Sequence, residues 1–366
     1  MQDANGRRPV KKRKIIINGE VYCRNTTGIE RVATDMITAL DMLFNNGEAE
    51  LVIPLNVRET PYLRNIQLVQ LDYTVSKFFL WEQLPFQSYV RKNNGIALDF
   101  GNACPFFAPG AAYLHDIYCE LYPYHFVTRR DRLICQYSRI MYRRIAKKAK
   151  KIIAVSEFTK QTIINTYHIS PDKIHVIYNG IGPSYKSIQP NFSIFEKHPV
   201  LKEKDFYFTL GSLSVRKNLK WIAEHAARYP DEFFVVSGTA LKSVIAQELG
   251  ALRQLKNVLL PGYLSDAEVK ALMSRCRAFI FPSLFEGFGL PPLEALSCGA
   301  KIIISNRTCL PEIYGDCAYY IDPDRADVNL DALLAKTVAP PDKLLKELTV
   351  ENASKKLYKI IKDFLS

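Results

Sequence analysis

The sequence predicts an α/β protein built from two doubly wound domains, each a parallel sheet covered by helices. From residue 14 onward, short β-branched runs alternate with longer amphipathic segments, the pattern of strands joined by crossover helices. This alternation pauses at residues 182–204, a polar stretch with three prolines that is interpreted as a linker, and then restarts. The 366 residues accommodate two such domains, since a domain usually has about 100 to 200 residues.

The first domain is predicted to cover residues 1–187. Its strands are expected at residues 14–18, 51–54, 96–99, 111–115, 151–155 and 175–178. Amphipathic helices are expected at residues 28–45, 130–149 and 156–167.

The second domain is predicted at residues 188–350, with strands at 206–210, 233–237, 257–260, 278–281, 301–304 and 318–321. Ser265 and Glu268 have the spacing of a capping box, and Gly299 is placed to end a helix that follows Pro291. Residues 342–366 are predicted to form one amphipathic helix, whose part 351–366 packs back on the first domain.

The composition restricts the class of protein. With 48% apolar and 23% charged residues, the chain is neither disordered nor fibrous in type. No apolar run approaches the roughly 18 residues of a membrane span, and Ile15–Ile17 is too short for a signal-peptide core. We therefore expect a cytoplasmic protein.

The net charge of +12 is unevenly distributed. Residues 1–190 have 26 basic and 16 acidic side chains, whereas the remainder has 23 and 21. This asymmetry indicates that the first half meets an anionic surface, which could be nucleic acid, phospholipid or a phosphorylated substrate.

The most informative segment is residues 286–294, which follows a predicted strand. Glu286 and Glu294 lie eight positions apart, the first in a turn with Gly287 and Gly289 and the second in the following helix. Glycines let backbone N–H groups approach a ligand, and a helix N-terminus favours an anion. The carboxylates can accept hydrogen bonds from vicinal hydroxyls, although a glycine turn followed by solvated glutamates is the alternative interpretation.

This segment resembles the E-x7-E signature of retaining glycosyltransferases with the GT-B architecture, in particular those of family 4. The resemblance covers nearly the whole chain and implies two Rossmann-like domains that face an interdomain cleft. The first domain, residues 1–187, would bind the acceptor, and the second, residues 188–350, would bind the nucleotide-sugar donor. Further matching segments lie at residues 25–30, 115–116, 155–159, 178–181 and 211–218.

The resemblance also implies the site. The catalytic residues would be His115, Glu286, Arg216 and Lys217. The residues that bind the donor would be Gly28, Ser212, Phe288, Gly289, Leu290 and Glu294.

Each of these residues has an implied role. Arg216 and Lys217 would stabilise the departing phosphate, and Arg216 would replace the arginine that many members have at the position of Ser212. Glu294 would hold the ribose hydroxyls, and Glu286 with the amides of residues 288–290 would hold the transferred sugar. His115 would contact the sugar ring, whereas Asp116 either orients that histidine or caps the next segment.

The implied reaction is retaining transfer of a sugar from a nucleotide-diphosphate donor to a hydroxyl of a glycan that we expect to be lipid-linked. Neither a cofactor nor a metal ion is expected, because Asp322-Pro323-Asp324 is interpreted as a turn. The alternatives are a small soluble acceptor, a non-enzymatic basic module that binds nucleic acid, and an inactive partner subunit.

Residues 139–151 contain seven basic side chains and no acidic one. They are either a solvated helix face or a surface that docks on an anionic membrane, where each basic side chain contributes roughly 1 kcal/mol. Docking would place the protein peripherally on the inner face of the cell membrane.

Overall fold

The computed structural model describes residues 13–24, 28–211, 214–238 and 246–365. Within these ranges the chain forms a seven-stranded and a six-stranded sheet. The first sheet consists of β1 (Ile15–Asn18), β2 (Ala49–Ile53), β3 (Gln67–Gln70), β4 (Ile96–Asp99), β5 (Ala111–Leu114), β6 (Lys151–Ala154) and β7 (Ile174–Val176). The second consists of β8 (Phe206–Leu210), β9 (Phe233–Ser237), β10 (Val258–Gly262), β11 (Ala278–Phe281), β12 (Ile302–Ser305) and β13 (Tyr319–Ile321).

Both sheets are doubly wound. The strand orders are β3-β2-β1-β4-β5-β6-β7 and β10-β9-β8-β11-β12-β13, and the paired strands run parallel. The order reverses between β1 and β4 in one sheet and between β8 and β11 in the other, the places where such sheets bind ligands beyond their carboxyl ends. The predicted fold class is confirmed. We call the parts around the first and second sheets the N-terminal lobe and the C-terminal lobe.

Helices connect the strands on both faces. Those up to the start of the second sheet are α1 (Gly28–Asp41), α2 (Phe78–Trp81), α3 (Gln87–Lys92), α4 (Tyr118–Leu121), α5 (Arg129–Lys148), α6 (Glu157–Tyr167), α7 (Pro183–Ser187), α8 (Ile194–Lys197) and α9 (Val200–Glu203). Those that follow are α10 (Leu219–Arg228), α11 (Ala246–Gln254), α12 (Asp266–Arg275), α13 (Leu290–Ser297), α14 (Leu310–Tyr314), α15 (Leu330–Leu334), α16 (Asp342–Glu347) and α17 (Val350–Ile361).

Local signals in the sequence set several helix ends. The capping box of Ser265 and Glu268 is present at the start of α12. Gly299 has a φ of +81° just after α13, a conformation that glycine adopts without the steric cost of a Cβ atom. Both predictions are confirmed.

One strand was not predicted from the sequence. β3 reads Gln-Leu-Val-Gln, and three of its four residues are exposed. It pairs only with β2 at the edge of the first sheet. An edge strand contributes little to the core, so its sequence lacks the apolar run that identifies the central strands.

The segment predicted as a linker contains the three short helices α7, α8 and α9. Tyr185, Ile194 and Leu201 from this segment are buried, so it packs against the lobes and is not an exposed connection. Pro183 is the first residue of α7 and Pro199 is the N-cap of α9, positions where the missing N–H has no intrahelical partner to lose. The segment connects the two sheets, as predicted, but it is helical and packed against the lobes.

The tail forms two helices, not the single helix that its apolar pattern predicted. Thr349 separates α16 from α17 and caps the second helix, since its hydroxyl accepts a hydrogen bond from the Asn352 N–H. At this break the chain forms a bridge between Ile181 and Thr349: the Ile181 N–H donates to the Leu348 carbonyl at 3.1 Å. The two segments that connect the lobes are thus joined side by side.

Helix α17 lies against α1 of the N-terminal lobe. Tyr358 of α17 meets Phe44 edge to face, with ring centroids 5.3 Å apart, and Leu357 is fully buried. The division of the chain at residues 187 and 188 stays a prediction. No helix in the described part of the chain combines the length and apolarity needed to cross a bilayer.

Gly110 provides a test of the first sheet. A Cβ atom at this position would lie 2.1 Å from the Ala97 carbonyl oxygen in the neighbouring strand. We expect Gly110→Ala to lower the free energy of unfolding by about 1 to 3 kcal/mol, the usual cost of overpacking, in urea titrations. Gly250→Ala is the control, because no heavy atom lies within 4 Å of its Cβ position in α11. If both variants unfold alike, Gly110 is not a packing constraint.

Candidate functional site

The two lobes meet where the loop after β11 touches the end of β5. A Cβ atom on Gly287 would lie 1.8 Å from the His115 carbonyl oxygen, so only glycine fits here. The Gly287 carbonyl accepts a hydrogen bond from Ser156 Oγ at 2.7 Å. The carboxyl ends of both sheets face each other across this contact, and the charged residues predicted from the sequence surround it.

Lys217 and Glu286 form a buried ion pair in the C-terminal lobe. Lys217 Nζ donates to Glu286 Oε1 at 2.6 Å and lies 4.4 Å from the centroid of the Phe281 ring. Burial raises the pKa of Glu286, but Lys217 and Arg216 outweigh this effect, so the net pKa shift is downward. Glu286 is therefore a carboxylate at neutral pH.

Arg216 reaches across to the N-terminal lobe. Its Nη1 lies 3.3 Å from Asp116 Oδ2, while Asp116 Oδ1 accepts a hydrogen bond from the Tyr118 N–H. Asp116 thus contacts the backbone at the start of α4, which is closer to the second of the two roles left open for it, and the hydrogen bond seen for the His115 ring goes to Phe100.

His115 is buried and uncharged. Burial lowers its pKa, and its Nε2 lies 2.7 Å from the Phe100 carbonyl oxygen. Because a carbonyl oxygen only accepts, Nε2 carries the proton and Nδ1 has a lone pair. The side chain can therefore accept a hydrogen bond from a hydroxyl group at Nδ1.

The glycine turn leads into α13. Gly289 has a φ of +82° and precedes the first residue of this helix, Leu290. Phe288 is buried, and its ring centroid lies 6.5 Å from that of Tyr178. Gly28, at the start of α1, faces this turn, with its Cβ position 4.0 Å from Leu290 Cδ2. The N-termini of helices from both lobes thus lie close together, which suits an anionic ligand.

Glu294 lies on α13 and is bound to a residue that sequence reasoning missed. Arg31 Nη1 donates to Glu294 Oε1 at 2.7 Å, and Arg31 Nη2 donates to Asp266 Oδ2 at 2.5 Å. Burial raises the pKa of Glu294 to about 7, against the opposing effect of Arg31. Arg31 lies three residues after Gly28 and directly follows the motif at residues 25–30. This position is the sequence signal that could have identified Arg31 as a site residue.

The structure thus brings together most of the predicted residues. His115, Arg216, Lys217, Glu286 and Glu294 lie around the contact between the lobes, with the turn at residues 287–290 and Gly28. Ser212 and residues 25–27 lie outside the described residues. Asp322 and Asp324 pair with Arg307, and metal independence stays a prediction.

The chain matches two family models. The model described as Glycosyl transferases group 1 matches residues 191–344, and the model described as Glycosyltransferase Family 4 matches residues 103–185. The two matches together cover more than half of the chain.

Three curated relatives are mannosyltransferases. The O-antigen chain mannosyltransferase RfbU of Salmonella typhimurium is 29% identical over 215 residues, which are 58% of this chain and 56% of the relative. The O-antigen chain mannosyltransferase B of Escherichia coli is 30% identical over 191 residues, 49% of each chain. The serotype-specific mannosyltransferase WbdA of Escherichia coli is 34% identical over 185 residues, 46% of this chain and 22% of the relative. The chain thus spans about half or less of these relatives.

Solved structures match over nearly the full chain. HepE of Anabaena, solved in complex with UDP and glucose, has a TM-score of 0.69 at 16% identity, with 96% of this chain and 100% of that chain covered. WaaG, a glycosyltransferase involved in lipopolysaccharide biosynthesis, has a TM-score of 0.63 at 17% identity, with 96% of each chain covered. These likenesses confirm the GT-B fold predicted from the sequence.

The Lys217–Glu286 pair yields a stability prediction. We expect Lys217→Met to lower the free energy of unfolding by about 3 to 5 kcal/mol at pH 7, because it leaves a buried carboxylate without its nearest cation. Since the folded-state pKa of Glu286 lies below its usual value, the pair's contribution is lost as the pH falls through that pKa. The difference in the free energy of unfolding between wild type and variant should therefore be smaller at acidic than at neutral pH, which urea titrations at the two pH values measure.

The double variant Lys217→Met/Glu286→Gln is the control for this pair. It should recover most of the lost stability, because the buried charge is removed together with its partner. A double variant as unstable as Lys217→Met would contradict an energetic coupling between the two side chains.

Proposed function

Because the chain belongs to the GT-B glycosyltransferases of family 4, we propose that it transfers a glycosyl residue from a nucleotide-diphosphate sugar to a hydroxyl of a glycan, with retention of anomeric configuration. The observation that carries the proposal is the cluster of Arg216, Lys217 and Glu286 opposite His115 at the contact between the lobes. Two cations, a carboxylate and a neutral imidazole are the groups that a diphosphate and a sugar ring require.

The cations would stabilise the leaving group. A nucleoside diphosphate gains negative charge as the bond to the anomeric carbon breaks, and Arg216 and Lys217 lie where they can neutralise it. Arg216 is held between Asp116 and the Tyr118 ring, whose centroid is 5.8 Å from the guanidinium carbon. The helix N-termini at Gly28 and Leu290 add N–H groups directed at the same charge.

The carboxylates and the histidine would bind the sugars. Glu286 lies next to the cations and would accept hydrogen bonds from hydroxyls of the transferred sugar, with the amides of residues 288–290 beside it. His115 Nδ1 would accept from one more hydroxyl of that ring. Glu294, further along α13, would hold the ribose hydroxyls of the nucleotide.

The chemical step would need no dedicated base. The acceptor oxygen would attack the anomeric carbon on the face from which the phosphate leaves, and the phosphate oxygen would take the acceptor's proton. The bond to phosphate breaks as the new glycosidic bond forms, so configuration is retained. Glu286 is bound to Lys217 and suits electrostatic stabilisation of the positively charged sugar better than nucleophilic attack.

The relatives suggest the sugar and the pathway. Three of them are mannosyltransferases, and two are named for the O-antigen chain. We therefore propose a mannosyl donor and a glycan acceptor in the biosynthesis of a cell-surface polysaccharide, with a lipid-linked acceptor as the form to test.

Helix α5 would supply the membrane contact for such an acceptor. Leu133 and Ile134 near its start have 72% and 51% of their surface exposed, and Arg129 and Arg130 beside them are exposed. Basic side chains with exposed apolar ones suit an anionic lipid surface.

The basic segment at residues 139–151 is partly engaged within the protein. Arg139 and Arg143 bind Glu120, and Arg144 Nε donates to the Phe106 carbonyl at 2.6 Å. The start of α5 is therefore the better candidate for membrane docking on the cytoplasmic side.

The proposed donor site is testable by thermal unfolding with UDP, GDP, ADP and dTDP. We expect one diphosphate at 100 times its Kd to stabilise the protein by about 2.7 kcal/mol, because it binds only the folded state. Lys217→Ala should abolish this shift and reduce turnover of the matching sugar donor at least about a hundredfold. A full shift in Lys217→Ala would refute its role at the diphosphate.

The membrane contact predicts salt-dependent binding to vesicles that contain phosphatidylglycerol. We expect Arg129→Gln/Arg130→Gln to weaken flotation at low salt, by roughly 1 kcal/mol for each charge removed. Lys343→Gln/Lys355→Gln removes two charges from exposed lysines near the C-terminus and should leave flotation unchanged. Equal losses in both double variants would show a nonspecific charge effect and contradict docking through α5.

A further inference from the structure

We propose that Arg31 competes with the donor. Its guanidinium binds the Glu294 carboxylate, which the ribose of the nucleotide requires, and thereby lowers the affinity for the donor. The inference rests on the proposed function, because it takes Glu294 as the ribose-binding group. It goes beyond that function in assigning a residue of the N-terminal lobe a role in donor affinity.

The contacts of Arg31 carry this inference. The side chain leaves α1 and reaches two helices of the C-terminal lobe, contacting Glu294 on α13 at 2.7 Å and Asp266 on α12 at 2.5 Å. Its guanidinium carbon also lies 5.3 Å from the centroid of the Tyr185 ring. Only 16% of the Arg31 side chain is exposed, so it is held in place from three sides.

The space beside the Glu294 carboxylate is small. A cavity of about 10 Å³ is lined by Arg31, Asp35, Tyr185, Leu290 and Glu294, among others. That volume admits about one water molecule, whereas ligand pockets usually measure about 300 to 1,000 Å³. This cavity has no room for a ribose ring while the Arg31 guanidinium stays on Glu294 Oε1, and movement of Arg31 would enlarge it.

The surrounding charges make this exchange feasible. Asp266 has 47% of its side chain exposed, so Arg31 can keep this partner while it turns toward solvent. Glu294 would then be left without its cation, but its raised pKa allows it to take up a proton. The protonated carboxyl group can still bind a ribose hydroxyl, so displacement of Arg31 need not leave an unpaired buried charge.

The donor would thus replace an ion pair between the lobes by its own contacts to both lobes. Part of the donor's binding free energy would be used to separate Arg31 from Glu294. A variant without this ion pair would not have this cost and should bind the donor more tightly. Substitution of Arg31 should therefore increase the donor affinity, whereas substitution of a residue that contacts the donor directly should decrease it.

The experiment measures the Kd of whichever of UDP, GDP, ADP or dTDP binds the full chain, by calorimetry. We expect Arg31→Met to bind about tenfold more tightly than wild type, which corresponds to 1.4 kcal/mol. Asp266→Asn removes the exposed partner that Arg31 keeps after displacement and should therefore weaken binding. Arg277→Met is the matched control: it removes an arginine from an ion pair with Asp331 at the amino end of β11 and should leave the Kd unchanged.

The outcomes separate this inference from the proposed function. Weaker or unchanged binding by Arg31→Met, with normal binding by wild type, would overturn the competitor role and leave the donor site intact. Failure of all four nucleotides to bind folded wild-type protein would refute the proposed function itself. Circular dichroism and the melting temperature establish that each variant is folded.

Discussion

The close approach of Gly287 to the His115 carbonyl is the constraint on which the site depends. It leaves no room for a side chain between the lobes, so the loop after β11 and the end of β5 lie in direct contact. Charged groups that are far apart in the sequence therefore share one partly buried space, as Arg216 and Asp116 do. Ser156, which donates to the Gly287 carbonyl, fixes the same contact from the N-terminal lobe by a hydrogen bond.

Buried charges in this space are balanced by partners from the protein. Lys217 neutralises Glu286, and Arg31 neutralises Glu294. A charged ligand that enters must exchange these pairs for its own contacts, so its affinity is a difference between two sets of interactions. For the proposed donor, the same exchange would favour release of the diphosphate after transfer, since the protein's own ion pairs would form again.

The sequence was most informative where burial imposes a pattern. The central strands, such as β8 and β11, follow from apolar runs that must be covered on both faces, and Glu286 and Glu294 follow from a local motif. Edge strand β3 and the break at Thr349 were missed, because an exposed strand and a single capping threonine leave only weak patterns. The pairing of Arg31 with Glu294 could not be predicted, since it joins residues 263 positions apart through the relative placement of two lobes.

The bridge between Ile181 and Thr349 has a mechanical consequence. The polypeptide passes from one lobe to the other twice, and at this bridge the two passages are hydrogen-bonded to each other. Two connections at the same edge act as one hinge axis. Rotation of the lobes about this axis keeps the hydrogen bonds between the connections, whereas sliding or twisting would break them. Any opening of the cleft that keeps this bridge is therefore a rotation about one axis.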